Sequence, residues 1–298
     1  MGRIAAFSPA VRTLEESVRR ARIVEEHGYE SLWTTQLPNA RDASLVLAAY
    51  AAATQRVKLG TGVLPIYTRH PTAMVQMAAT IDELSGGRFI LGIGVSHKVT
   101  VESMWGMHLE SPVDAMREYL TIVRESIQNG ACSFEGKHFS AQWAYSGPRR
   151  GNLPIMISAL NPRMLELAGE LADGVVLYMC PPHYIADEVV PRVKAGREKA
   201  GKALDGFEIV AAIDACATGD RAAALATYQD TLDRYSALPF YRKAMESGEY
   251  NPDVLAAIGD ANQVRDAVGR YRNAGVTVPC VGPFGGKFEE TIAAAADA

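Results

Sequence analysis

Eight times along the chain a short apolar run gives way to a longer amphipathic stretch, and that count constrains the fold more than any other feature. The strand candidates are residues 3–7, 30–34, 57–64, 88–94, 153–160, 174–179, 207–213 and 277–282. Helices are predicted over 12–27, 42–54, 72–84, 112–129, 162–172 and 184–200, then from near Asp220, over 260–273 and over 286–296. Leu14, Val18, Ala21 and Val24 recur at helical spacing in the first of these, and Gly28 suits its end. The strand runs are nearly continuous in apolar character rather than alternating, as expected of a parallel sheet covered by helices. Eight strand–helix units predict a (β/α)8 TIM barrel in preference to an open doubly wound sheet. No segment rich in Pro, Gly or Ser divides the chain, so residues 1–298 read as one domain. Residues 130–152 and 235–258, the latter broken by Pro239 and Pro252, read as insertions within it.

Charge and cysteine usage narrow the partners. The 30 Lys and Arg against 34 Asp and Glu leave a formal charge of -4, with no electrostatic case for nucleic acid. No run of 18 apolar residues free of charge is present, so no membrane span is expected. The first residues carry Arg3 and lack the apolar core of a signal peptide. Cys132, Cys180, Cys216 and Cys280 form no CxxC pair, and the six histidines show no metal-ligand spacing. A GxSxG elbow and an HExxH pair are absent. These features lead to the expectation of a cytoplasmic enzyme that acts on a small molecule without a metal.

In a parallel barrel the chemistry lies at the C-terminal ends of the strands. Gly60-Thr61-Gly62-Val63 either admits a planar ring close to the backbone or makes a simple sharp turn. Gly92-Ile93-Gly94-Val95-Ser96-His97 lacks the third glycine of a dinucleotide fingerprint, but its backbone suits a phosphate or a ring edge. His97 is a candidate proton donor, or else a support for its loop. Asn161-Pro162-Arg163 opens a helix directly after a strand; Asn161 is either a plain N-cap or part of a phosphate site at the helix terminus. Trp33, Tyr67, Trp105, Met107, Phe139, Trp143 and Tyr145 around these loops suit an apolar, aromatic pocket, with some of them serving the core.

The runs SLWTTQ, VKLGTGVLPIYTRHP, TIDELSGGRFILGIGVSH and ALNPRMLELAGELADGVVLY, in this order, resemble the bacterial luciferase-like monooxygenase superfamily, in particular its F420-dependent oxidoreductase branch. The resemblance implies a luciferase-like barrel whose flavin or deazaflavin ring lies against a bulge with a non-prolyl cis peptide, at Gly62-Val63 here. It implies cofactor binding by Thr35, Thr61, Gly62, Val63, Gly94, Val95, Ser96 and His97, and by Ser158, Ala159, Leu160 and Asn161. The implied activity is hydride transfer between coenzyme F420 and an organic small molecule. The alternatives are an FMN-dependent monooxygenase using O2 and a separate reductase, and a non-catalytic flavin-binding or deazaflavin-binding protein. A homodimer is implied too, with 130–152 as a lid and 235–258 at the pocket mouth. One departure matters. Where dehydrogenases of this branch have Trp-x-x-Asp-His, this chain has Trp33-Thr34-Thr35-Gln36-Leu37. The catalytic candidates are therefore His97 and Gln36.

Overall fold

The computed structural model describes residues 3–9, 13–246 and 251–298. Arg12 of the first expected helix and residues 247–250 of the 235–258 segment lie outside these. The eight expected strands are present: β1 (Ala5–Phe7), β2 (Ser31–Thr34), β3 (Lys58–Thr61), β4 (Phe89–Gly94), β5 (Ile155–Ser158), β6 (Gly174–Tyr178), β7 (Glu208–Ala217) and β8 (Val278–Pro283). Each pairs in parallel with the next, and β8 pairs with β1 through Cys280 opposite Ala5 and Val281 opposite Ala6. The sheet is thus a closed eight-stranded parallel barrel, the expected TIM-barrel architecture.

Helices α1 (Leu14–Glu26), α2 (Ala43–Ala53), α3 (Pro71–Leu84), α4 (Pro112–Asn129), α5 (Pro162–Leu171) and α6 (Val190–Lys199) return the chain between strands. After β7 come α7 (Arg221–Ser236), α8 (Pro239–Glu246) and α9 (Ala261–Asn273), and α10 (Phe288–Ala295) follows β8. Side-chain caps fix several starts: Thr13 for α1, Asp42 for α2, and Asp260 with Gln263 in a capping box for α9.

The apolar runs are continuous because both strand faces are buried. Leu32, Leu59, Leu91, Ile157, Leu177 and Ile213 point out into the core beneath the helices. Ala5, Trp33, Ile90, Met156, Val210 and Cys280 fill the barrel's interior. Glycine makes that interior possible. A Cβ on Gly60 would lie 2.5 Å from the Trp33 indole, and one on Gly92 would lie 1.9 Å from the Thr61 carbonyl oxygen. Trp33 is accordingly a core residue, its Nε1 donating to Ser31 Oγ at 2.9 Å.

Three local readings change. The expected strand 57–64 stops at Thr61; after a cis Gly62–Val63 peptide, Leu64 and Pro65 pair separately with β4. The seventh strand runs four residues beyond Ile213, to Ala217, and a further strand, Ala256–Gly259, pairs with its end. The third concerns the expected lid. Ala131–Glu135 and Ser140–Ala144 form an antiparallel hairpin on the outside of α3 and α4, not a cover over the strand ends. Glu118 accepts the backbone N–H groups of Lys137, His138 and Phe139, and Trp143 Nε1 donates to Ser126 Oγ. Phe139 and Trp143 therefore pack on the outer wall.

Candidate active site

At the C-terminal end of the barrel several of the expected residues converge. A Cβ on Gly94 would sit 2.4 Å from Ser158 Oγ and 2.6 Å from Val63 Cγ2, so Val63, Gly94 and Ser158 are in mutual contact. Gly62 lies beside them over the rings of Phe7 and Trp33, where a Cβ would meet nothing closer than 3.6 Å. The result is a floor with little side chain on it. Ser96 (φ 62) and Met179 (φ 51) take left-handed backbone conformations immediately after β4 and β6. Non-glycine residues adopt that region uncommonly, and functional loops are where it concentrates.

Other expected residues have different employment. The Thr61 hydroxyl donates to Gly92 O at 2.7 Å and accepts Gly92 N–H at 2.6 Å, so it stitches β3 to β4 and is fully buried. Gln36, expected to be catalytic, is engaged within its own loop. Its Nε2 donates to Leu37 O at 3.0 Å and its Oε1 accepts Ala43 N–H at 2.9 Å, which spends both ends of the amide on bracing its own loop. Asn161 is an N-cap: its Oδ1 accepts Met164 N–H at 3.0 Å, with Pro162 at the first helical position. Thr35, Val95 and Leu160 are half-buried at the strand ends, and Ala159 is buried. Leu160 O accepts the Tyr184 hydroxyl at 2.8 Å. The Tyr67 hydroxyl is buried without a hydrogen-bond partner among the described residues, as a group awaiting a ligand would be.

His97 sits in an aromatic wall. Its ring centroid lies 5.6 Å from that of Tyr241 on α8 and 6.4 Å from that of Tyr235 on α7. Burial holds its pKa below the ordinary histidine value, so the imidazole is neutral at pH 7. The segment expected at the pocket mouth thus lies against His97.

Sequence reasoning missed the acid in this wall. Asp214 lies near the top of β7, half-buried, with Oδ1 3.5 Å from the position a Gly282 Cβ would take and Phe7 Cβ 3.7 Å from the same point. Tyr178 on β6 donates its hydroxyl to Asp214 Oδ2 at 2.9 Å. Tyr178 then packs edge-on to Tyr235 at 4.9 Å, and Tyr235 to Tyr241 at 5.0 Å. Burial pushes the Asp214 carboxyl up to about 6, although the Tyr178 and Tyr228 hydroxyls act to lower it. The signal was an acid inside the apolar run IVAAIDACA; ending the strand at Ile213 left it out. Among the described residues no His, Cys, Asp and Glu cluster could hold a metal ion, and no helix is long and apolar enough to cross a membrane. A cavity of about 460 Å³ opens at the opposite, N-terminal end of the barrel, ringed by Arg3, Glu30, Lys58 and Glu208.

The family model described as luciferase-like monooxygenase matches residues 2–278. The chain is 38% identical over 192 residues to the 5,10-methylenetetrahydromethanopterin reductase of Archaeoglobus fulgidus, covering 64% of this chain and 57% of the reductase. The match thus spans less than two thirds of that relative's length. A Mycobacterium tuberculosis protein inferred to be a coenzyme F420-dependent oxidoreductase is 30% identical, with 86% of this chain and 87% of the relative covered. The solved structure of the coenzyme F420 dependent tetrahydromethanopterin reductase from Methanopyrus kandleri superposes with a TM-score of 0.84 at 24% identity, over 99% of this chain and 97% of that one. That likeness establishes the fold.

Proposed function

Since the chain belongs to the luciferase-like monooxygenase family, we propose that it is a coenzyme F420-dependent oxidoreductase that moves a hydride between the deazaflavin C5 and an organic small molecule. The observation that carries this reading is the bare floor at the strand ends. Gly62 and Gly94 put no side chain there, Gly62 rests on Phe7 and Trp33, and Val63 and Ser158 close on Gly94. The relatives named above support the deazaflavin in place of FMN.

The ring, when bound, supplies the hydride chemistry; the chain's own residues bind, orient and dry the site. Val63, Gly94 and Ser158 would lie beneath the ring, with Thr35, Thr61, Val95, Ser96, Ala159 and Leu160 shaping the strand ends around it. Thr61 and Asn161 would contribute through backbone and local order, because their side-chain oxygens are engaged. His97, Tyr235 and Tyr241 form a wall that keeps water from the reacting face. His97 stands in that wall, where burial holds its pKa below the ordinary histidine value. The reading carries with it a cytoplasmic homodimer.

Fluorescence titration of the purified protein with F420 and, separately, with FMN tests the proposal. Saturable quenching of F420 with FMN binding at least roughly tenfold weaker, about 1.4 kcal/mol, is the expected result. Tight FMN binding with no F420 binding would overturn it in favour of the oxygen-using flavin enzyme.

A further inference from the structure

We propose that Asp214 is the residue through which this site exchanges a proton with its substrate, and that the substrate carries a nitrogen or oxygen on the carbon that undergoes hydride transfer. The proposal rests on the oxidoreductase reading above.

The placement comes first. From Ile209 to Ala217 strand β7 is apolar except at Asp214, which falls where barrel enzymes carry their chemistry. Its Oδ2 is held by the Tyr178 hydroxyl, the Tyr228 hydroxyl acts on the same carboxyl, and Oδ1 lies beside Gly282 and Phe7. The groups set against it are phenols: Tyr178 on β6, Tyr228 and Tyr235 on α7, and Tyr271 on α9. Burial pushes the pKa of all four up, so they stay neutral. Among the described residues no cation forms an ion pair with Asp214. A carboxylate partly withdrawn from water without a cation is costly, and the group relieves that cost by holding a proton. An acid held near 6 at the C-terminal end of a barrel strand has the ionisation that proton transfer to a substrate requires.

The chemistry defines the substrate class. When the carbon of a C=N or C=O bond receives hydride, its π pair moves onto the heteroatom. The Asp214 O–H bond breaks, the new N–H or O–H bond forms, and the electron pair left behind makes the carboxylate that Tyr178 stabilises. The two electrons come from a reduced deazaflavin. In the opposite direction the carboxylate takes the proton from an amine or alcohol as its carbon gives up hydride.

The test combines infrared titration of the cofactor-free protein with turnover by reduced F420 on a panel of ketones and cyclic imines. The wild type should show a protonated carboxyl band titrating near pH 6, absent in Asp214→Asn and shifted to higher pH in Tyr178→Phe. Asp214→Asn should reduce the rate by at least roughly 100-fold with F420 affinity unchanged within about twofold. The wild-type reduction rate should fall as pH rises through about 6, because the acid form is consumed, and the variant should lose that inflection. Wild-type rates and pH dependence in Asp214→Asn would overturn the proposal, as would the absence of a protonated carboxyl above pH 5. A protein that binds F420 but turns over no member of the panel counts against the stated substrate class. If F420 does not bind at all, the oxidoreductase reading itself falls, and the infrared titration still decides whether Asp214 is a proton carrier.

Discussion

Gly62 and Gly92 look alike in the sequence, each one partner in a spaced glycine pair at the end of a strand, yet they answer to different demands. Gly92 is a packing residue: a Cβ there would meet the Thr61 carbonyl oxygen at 1.9 Å and force β3 from β4. Gly62 has ordinary contact distances on its buried side and half-open space on the other. Gly92→Ala is therefore expected to cost about 3 kcal/mol of stability. Gly62→Ala should leave the melting temperature nearly unchanged and F420 affinity within about twofold, since its methyl group turns toward Phe7 and Trp33 at ordinary contact distance. Calorimetry and fluorescence titration on the two variants check both halves; a stable Gly92→Ala protein would remove the steric account. Spacing alone could not separate these roles, because the deciding atoms, Thr61 O and Trp33, come from neighbouring strands. The same holds for Gln36. Its polar character was visible, but only the position of Ala43 N–H shows that the amide is already occupied.

Elements were legible where local pattern and tertiary demand agree. All eight barrel strands and their order follow from runs that are apolar on both faces, since a parallel barrel buries both. The segments between α4 and β5 and between β7 and α9 were not, because what they cover depends on the path of the chain. The aromatic stretch 130–152 suggested a lid; it is a hairpin on the outer wall, tied down where Glu118 accepts three consecutive N–H groups. Burial acts to raise the Glu118 pKa, but the amides of Phe139, His138 and Lys137 outweigh it and hold the carboxylate below its ordinary value. A depressed acid stabilises the folded state above its unfolded pKa, and that contribution is lost as pH falls through the folded one. Glu118→Ala should thus destabilise the protein by about 1–3 kcal/mol near neutral pH, by less in acid, and loosen amide exchange at residues 137–139. Because the hairpin is anchored on α3 and α4, turnover should be unchanged. A fall in kcat would restore the lid.

At the scale of the whole molecule the barrel has two ends with separate duties. The C-terminal end holds the bare floor, the aromatic wall and Asp214. At the N-terminal end, Arg3 leads into β1 and pairs with Glu30 at 2.7 Å and Glu208 at 2.8 Å, while Lys58 reaches Glu30 at 2.9 Å. Thr277 donates to Glu208 Oε2 at 2.6 Å, so one charged network joins the entrances of β1, β2, β3, β7 and β8 where the barrel closes. The Arg3 guanidinium is about half exposed, which places each pair in the range of surface salt bridges, about 0.2–1 kcal/mol. Glu208→Gln keeps an acceptor for Thr277 but removes the ion pair. It should lower the melting temperature by roughly 1–3 °C at low salt and by less at about 0.5 M, where screening has already weakened the wild-type pair. Burial raises the Glu30 pKa and its Arg3 and Lys58 partners more than offset that, so the network's contribution is lost as pH falls through the lowered value. Turnover and F420 affinity should stay at wild-type levels, because the network lies at the far end of the packed interior from the reacting face. A Glu208→Gln protein that melts as the wild type but turns over slowly would show that the two ends are coupled through Trp33, Ile90 and Met156.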